Sequence, residues 1–243
     1  MRMNLPVPAR ALAIAAHPDD VEFGCGGTLA KWAAAGCVIN HLVLTDGSKG
    51  SWDPSQDVAE LVALRQEEQR AAAQALGSTG EVVFLGWPDG ELGAGISPRA
   101  LVARWIRTLR PEVALGHDPW RRYRLHPDHR NAGRLACDGI VAARDPHFFP
   151  EQGLEPWRPS TLLLWEADEV DHVEDVSRSV DAKLAALEAH ESQFRSTMHI
   201  DTDAADADAQ RERFRRRVRD RLAEFGRQAG FALGEGFKRI DTV

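Results

Sequence analysis

Short apolar runs alternate with helix-patterned stretches from residue 11 to residue 194, an order that restricts the chain to a mainly parallel sheet covered by helices. Strands are expected at Ala11–Ala16, Cys37–Thr45, Glu81–Leu85, Val113–Gly116 and Thr161–Trp165. Helices are expected within Val21–Ala35, over Val58–Leu76 with Gly77 just past its end, and over Ser97–Leu109 with Ser97 as cap and Pro98 at its first position. A further helix, Ser177–Phe194, carries Val180, Leu184, Leu187 and Phe194 along one face. The fold class is therefore α/β, a Rossmann-like sheet with helices on both faces, built as a single domain over residues 1–243. Its core covers about residues 10–200, and 201–243 adds a helical extension and a final strand.

The charge balance narrows the partners. The chain has 30 Lys and Arg against 37 Asp and Glu, a net charge of −7, which argues against a general nucleic-acid binder. No apolar run approaches the roughly 18 residues of a membrane span. Ala11–Ala16 follows Arg2 and Arg10 and imitates a signal peptide, but it is shorter than the roughly 7–15 apolar residues of a secretory core. Three scattered cysteines, Cys25, Cys37 and Cys137, read as reduced thiols of a cytoplasmic protein. Arg211–Arg221 is Arg-rich, yet Phe214, Val218, Leu222 and Phe225 fall at helical spacing, so its arginines read as the wet face of an amphipathic helix.

Sheets of this class place their sites just past the carboxyl ends of strands. Two related pieces stand there: His17-Pro18-Asp19-Asp20 after the first strand and His126-Pro127-Asp128-His129 after the fourth. In each, proline suits the first helical position, and residues i and i+3 project from one side of a turn. His17 is thereby expected to converge with Asp20, and His126 with His129. Imidazole and carboxylate without thiolate suit Zn²⁺, with Fe²⁺, Co²⁺ and Mn²⁺ also compatible. Two histidines and one carboxylate around an open position make a catalytic site that acidifies water, and the remaining acids and histidine supply proton transfer.

On these residues the chain resembles the LmbE-like or PIG-L family of zinc-dependent N-acetyl-sugar deacetylases, which includes enzymes of mycothiol and bacillithiol biosynthesis. The carrying pieces are AHPDD at Ala16–Asp20 and HPDH at His126–His129. Weaker ones are Thr45–Gly50, Arg65 with Glu68, Leu85–Leu92, Ala189–Gln193 and a last echo at Glu235–Ile240. The resemblance implies one zinc ion per chain on His17, Asp20 and His129, with Asp19 as general base. It also implies that His126, steered by Asp128, is the imidazolium that stabilises the oxyanion and protonates the amine. Tyr123, the only tyrosine, is a further candidate for the oxyanion, although it precedes His126 by three residues where two are expected. Asp46, Asp89 and His190 are candidate substrate contacts. Asp46 stands where relatives often carry Arg, and as an acceptor it disfavours an anionic aglycone there.

Other features read as structural. Gly24-Cys25-Gly26-Gly27 fails the dinucleotide fingerprint, because its third glycine would fall at Leu29, and is expected to let the first helix pack closely. Arg65 and Glu68 read as an i, i+3 ion pair. The expectation is a metal-dependent hydrolase that removes an acetyl group from a small N-acyl amino sugar. Homo-oligomers are compatible with it; nucleic acid and membrane are not expected partners. Its rivals are a nucleotide-binding protein or transferase on the same sheet, and a noncatalytic sugar- or metal-binding protein. Serine hydrolysis lacks a G-x-S-x-G elbow.

Overall fold

A computed structural model describes residues 1–243. Eight strands, β1 (Arg2–Met3), β2 (Arg10–Ala15), β3 (Val38–Thr45), β4 (Val82–Trp87), β5 (Val113–His117), β6 (Thr161–Trp165), β7 (His172–Asp175) and β8 (Gly234–Asp241), form one sheet in the order β1-β7-β8-β6-β5-β2-β3-β4. All neighbours are parallel except β8, which runs antiparallel to both β6 and β7. Six helices cover it: α1 (Asp20–Ala34), α2 (Val58–Ala75), α3 (Ile96–Leu109), α4 (Pro127–Arg144), α5 (Val180–Glu188) and α6 (Ala207–Ala229). No helix is long and apolar enough to cross a membrane, and the three cysteines are free.

The apolar run of β2 is continuous because both of its faces are buried. Ala11, Ala13 and Ala15 join Leu29 and Trp32 of α1 in one core. Leu12 and Ile14 point the other way, toward Val102 and Ile106 of α3 and Leu135 and Ile140 of α4. The chain runs outward from β2 to β3 and β4, then crosses back to lay β5 on the other side of β2, with Ile14 opposite Gly116. The order of the sheet thus reverses between β2 and β5. Their following helices leave on opposite faces and open a crevice at the strands' carboxyl ends.

Three expectations change. The helix expected from Ser97 starts at Ile96 with Gly95 as N-cap, which puts Pro98 at the third position. Proline is tolerated there because first-turn N–H groups have no intrahelical partner. The expected Ser177–Phe194 helix is only Val180–Glu188, followed by a tight 3-10 turn at Glu191–Gln193 and a wider π-helical turn at Phe194–Met198. Pro18 lies outside α1 in a turn, and Asp19 caps that helix with φ 97°, in the left-handed region.

The glycine-rich stretch lies within α1, where it serves packing. A Cβ on Gly27 would stand 3.0 Å from Val176 and 3.1 Å from Glu235 Oε1. Glu235 of β8 reaches the helix there and accepts the N–H groups of Gly27 (2.9 Å) and Thr28 (2.7 Å). Lys183 of α5 bonds Glu235 at 2.7 Å and the carbonyl of Phe23 at 2.8 Å. A buried ion pair therefore fastens α1, α5 and β8 together.

Candidate metal centre

The turn after β2 and the first turn of α4 face each other across the crevice. His126 is the N-cap of α4, with Pro127 in the first turn and its Nδ1 accepting the backbone N–H of Asp128 at 3.3 Å. His129 projects from the same turn. After β2, the backbone N–H of His17 donates to Asp20 Oδ2 at 2.8 Å and closes the turn. These two local arrangements bring together residues 112 positions apart: His17 Nδ1 and His129 Nε2 are separated by 3.2 Å. Asp20 completes the triangle, with Oδ2 3.4 Å from His17 Nδ1 and Oδ1 3.3 Å from His129 Nε2.

This donor set fits a zinc-like cation. A tetrahedral Zn²⁺ with ordinary N and O ligands holds the ligand atoms about 3.3–3.6 Å from one another. The back of His17 fits as well: Nε2 lies 3.1 Å from Asp128 Oδ2 and 3.2 Å from Asp89 Oδ1. A proton on Nε2 satisfies those carboxylates and leaves the Nδ1 lone pair free, the usual arrangement behind a metal-ligating histidine. The carboxylates around the ring favour positive charge here, whether carried by the ring or by a bound cation. Burial alone would lower the His17 pKa, yet Asp128, Asp20 and Asp89 raise it well above its ordinary value. Burial takes His129 down to about 4, against the pull of Asp20, so this ring is neutral at physiological pH. On its far side, Arg124 Nη1 lies 2.9 Å from His129 Nδ1 and pairs with Glu166; for Nε2 to take a cation the ring proton moves to Nδ1 and Arg124 turns to Glu166 alone.

Asp19 lies beside the triangle and is 6% exposed. Its backbone N–H donates to Gln69 Oε1 at 2.9 Å, and Gln69 in turn bonds buried Glu22. Arg65 of α2 holds the carbonyls of Pro18 (2.7 Å) and Gly47 (2.8 Å) and stands 3.5 Å from Asp19 Oδ2. Burial pushes the Asp19 carboxyl up to about 6, and Arg65 restrains that rise. Asp19, His17, Asp20, His126, His129, Arg65 and Asp89 all line one cavity of about 540 Å³, which extends to Phe23 of α1 and Phe225 of α6.

Several expected residues stand elsewhere. Tyr123 is 87% exposed and does not line the cavity. It sits in a turn with φ 60°, in the left-handed region, which carries its side chain away from His126. The Asp128 carboxylate faces His17 and accepts N–H groups of Gly90 (2.6 Å) and Leu92 (3.2 Å), whereas only its backbone meets His126. Asp46 fastens its own loop by accepting N–H from Ser48 and Asp89, and Lys49 lines the cavity there instead. His190 is fully buried, 3.2 Å from Glu22, and Gln193 of the same segment lines the cavity. Glu68 bonds the backbone and hydroxyl of Ser192, so the expected pair with Arg65 is not formed. Sequence reading gave no role to Gln69 or to buried His117, whose position at the end of β5 was the only available signal.

The PIG-L family model, described as GlcNAc-PI de-N-acetylase, matches residues 12–140 and so takes in both halves of this centre. Diacetylchitobiose deacetylase of Thermococcus kodakarensis is 35% identical over 188 residues, covering 76% of this chain and 70% of the relative. The 1D-myo-inositol 2-acetamido-2-deoxy-alpha-D-glucopyranoside deacetylase of Actinosynnema mirum is 31% identical over 236 residues, covering 79% and 83%. Among solved structures, N,N'-diacetylchitobiose deacetylase from Pyrococcus horikoshii, complexed with its inhibitor MPG, superposes with a TM-score of 0.85 at 29% identity. That match covers 96% of this chain and 84% of the other. With a family match across more than half its length and a curated relative at 35% identity, this chain belongs to the PIG-L (LmbE-like) family of de-N-acetylases.

Proposed function

We propose that this protein is a metal-dependent N-deacetylase that hydrolyses the acetamide of a 2-acetamido sugar, with His17, Asp20 and His129 holding one divalent cation, zinc by preference. The observation that carries the reading is the triangle of His17 Nδ1, His129 Nε2 and the Asp20 carboxylate, with edges of 3.2–3.4 Å, beside Asp19 in one cavity. The similar deacetylases named above support the substrate class, because their names specify acetylated amino sugars.

When bound, the cation acidifies water and polarises the amide carbonyl. Asp19 then takes a proton from the attacking water as its oxygen bonds to the carbonyl carbon. The same carboxyl passes that proton to the nitrogen as the C–N bond breaks, releasing acetate and a primary amine. For His126 we favour a neutral ring over the imidazolium expected from sequence. Its Nδ1 accepts the Asp128 N–H at 3.3 Å, so that nitrogen presents its lone pair. The ring is therefore neutral with its proton on Nε2, and it donates to the carbonyl oxygen as negative charge develops there. Arg65 fixes the turn that carries Asp19 and keeps that carboxyl ionised.

Three results are expected. Protein stripped by a chelator should release no amine from N-acetylglucosaminyl substrates in a fluorescamine assay and should recover on adding Zn²⁺; undiminished turnover of metal-free protein would end this reading. The kcat/KM should fall as pH drops through an acid limb at or below about 6, since Asp19 must be ionised and a nearby dication draws its pKa down. Arg65→Gln removes the restraining positive charge, so this limb should move to higher pH. A limb left in place would remove Arg65 from the account.

A further inference from the structure

His117, the last residue of β5, is 1% exposed and does not line the cavity. Its Nδ1 accepts the indole N–H of Trp165 at 3.0 Å, and its Nε2 lies 3.2 Å from Asp20 Oδ2. An indole nitrogen only donates, so Nδ1 must present its lone pair. A neutral ring then carries its proton on Nε2, aimed at Asp20. Two contacts compete: the backbone N–H of Ala16 reaches Nε2 only at 3.5 Å, and the Glu166 carboxylate stands 3.8 Å from Nδ1, both too long to reverse this order. Trp165 is itself 1% exposed and has little freedom to turn away. Its ring lies on Gly24, where a Cβ would stand 2.6 Å from the indole, so the absent side chain at Gly24 is what admits it.

The two oxygens of Asp20 are consequently unequal. Oδ2 receives His117 and the backbone N–H of His17 and also stands 3.4 Å from His17 Nδ1, whereas Oδ1 faces His129 Nε2 with no N–H donated to it. We propose that Trp165 and His117 form a positioning device for Asp20: the indole fixes the ring tautomer, His117 donates to Oδ2, and Oδ1 is left as the oxygen offered to the cation. His117 is thus a positioning residue and not a fourth ligand, although its Nε2 lies close enough to Asp20 and His129 to be mistaken for one. To ligate, it would need its proton on Nδ1, opposed to the indole N–H of a buried, fixed Trp165 at 3.0 Å; the donor opposite His129 Nδ1 is the longer Arg124 side chain, which has Glu166 as an alternative partner. This proposal rests on the assignment of His17, Asp20 and His129 as the cation's ligands.

The test has one part without metal and one with it. Long-range ¹H–¹⁵N correlation spectra of the metal-free wild-type protein should show His117 with its proton on Nε2, and Trp165→Phe should populate the other tautomer. Competition against a chelating dye should show Zn²⁺ affinity falling about 10–100-fold in His117→Ala and recovering in His117→Gln, whose amide N–H can still reach Oδ2. The Co²⁺ absorption spectrum of His117→Gln should match wild type, because the ligand set is unchanged. A wild-type ring protonated on Nδ1, or a cobalt spectrum altered by loss of a nitrogen ligand, would overturn the proposal. Affinity unchanged in both His117→Ala and Trp165→Phe would do the same. Wild-type protein that binds no cation would sink the ligand assignment and the proposal with it, and is told apart because the tautomer is read without metal.

Discussion

Asp19→Asn should lose turnover by about two to four orders of magnitude while keeping its full complement of metal. Asparagine retains the shape of the side chain but cannot take the proton from water. It is also the informative replacement for the backbone. Asp19 holds φ 97°, a left-handed conformation that asparagine tolerates better than most residues, so the turn should survive the change. Such a backbone costs about 1–3 kcal/mol and persists only where its surroundings impose it. Here they do: Gln69 takes the Asp19 N–H, and Arg65 clamps the carbonyl of the preceding Pro18. The twist sends Asp19 and its neighbour Asp20 to different tasks, one toward Arg65 at 3.5 Å, the other toward His129 at 3.3 Å. Metal content by elemental analysis and kcat by amine release measure the two roles separately. Loss of metal from Asp19→Asn, with retention in Asp20→Asn, would mean that the two aspartates exchange roles.

The largest loss of stability should come from Glu235→Ala, about 3–5 kcal/mol in urea unfolding, because it leaves the Lys183 ammonium buried without its partner. Both side chains are 3% exposed. The N–H groups of Gly27 and Thr28 lose an acceptor at the same time. Replacing both members, as Glu235→Leu with Lys183→Met, should restore most of the loss. Apolar residues of similar size often match a buried pair, and Phe23 and Gly27 stand four residues apart in α1, where carbonyl and N–H can bond each other. A single variant as stable as wild type would show that solvent reaches the pair.

The fold was legible because its strongest signal is local. Ala11–Ala16 and Cys37–Thr45 read as strands from composition alone, since both of their faces are covered and no polar alternation dilutes the pattern. The two HPD pieces were legible for a related reason: strand ends in a doubly wound sheet converge where its order reverses, and β2 and β5 are that pair. What escaped depends on distant chain. His117 is one histidine at the end of a strand, and only Trp165, 48 positions away, and Asp20, 97 positions away, give it a task. Arg65 and Glu68 have the spacing of an ion pair, but buried carbonyls and Ser192 compete successfully for them. Asp46 and His190 sit in segments that border the cavity, and their side chains are taken up by the loop and by Glu22. Gly24–Gly27 resembled a phosphate loop, yet its missing side chains make room for Trp165, Lys183 and Glu235.

The central claim is that side chains from either end of the crevice hold one cation. Anomalous diffraction on either side of the zinc absorption edge, from crystals of zinc-loaded protein, tests it most directly. The expected result is a single peak per chain within bonding distance of His17 Nδ1, an Asp20 carboxylate oxygen and His129 Nε2. A peak held by other residues, or none with these three side chains still in contact, would contradict it.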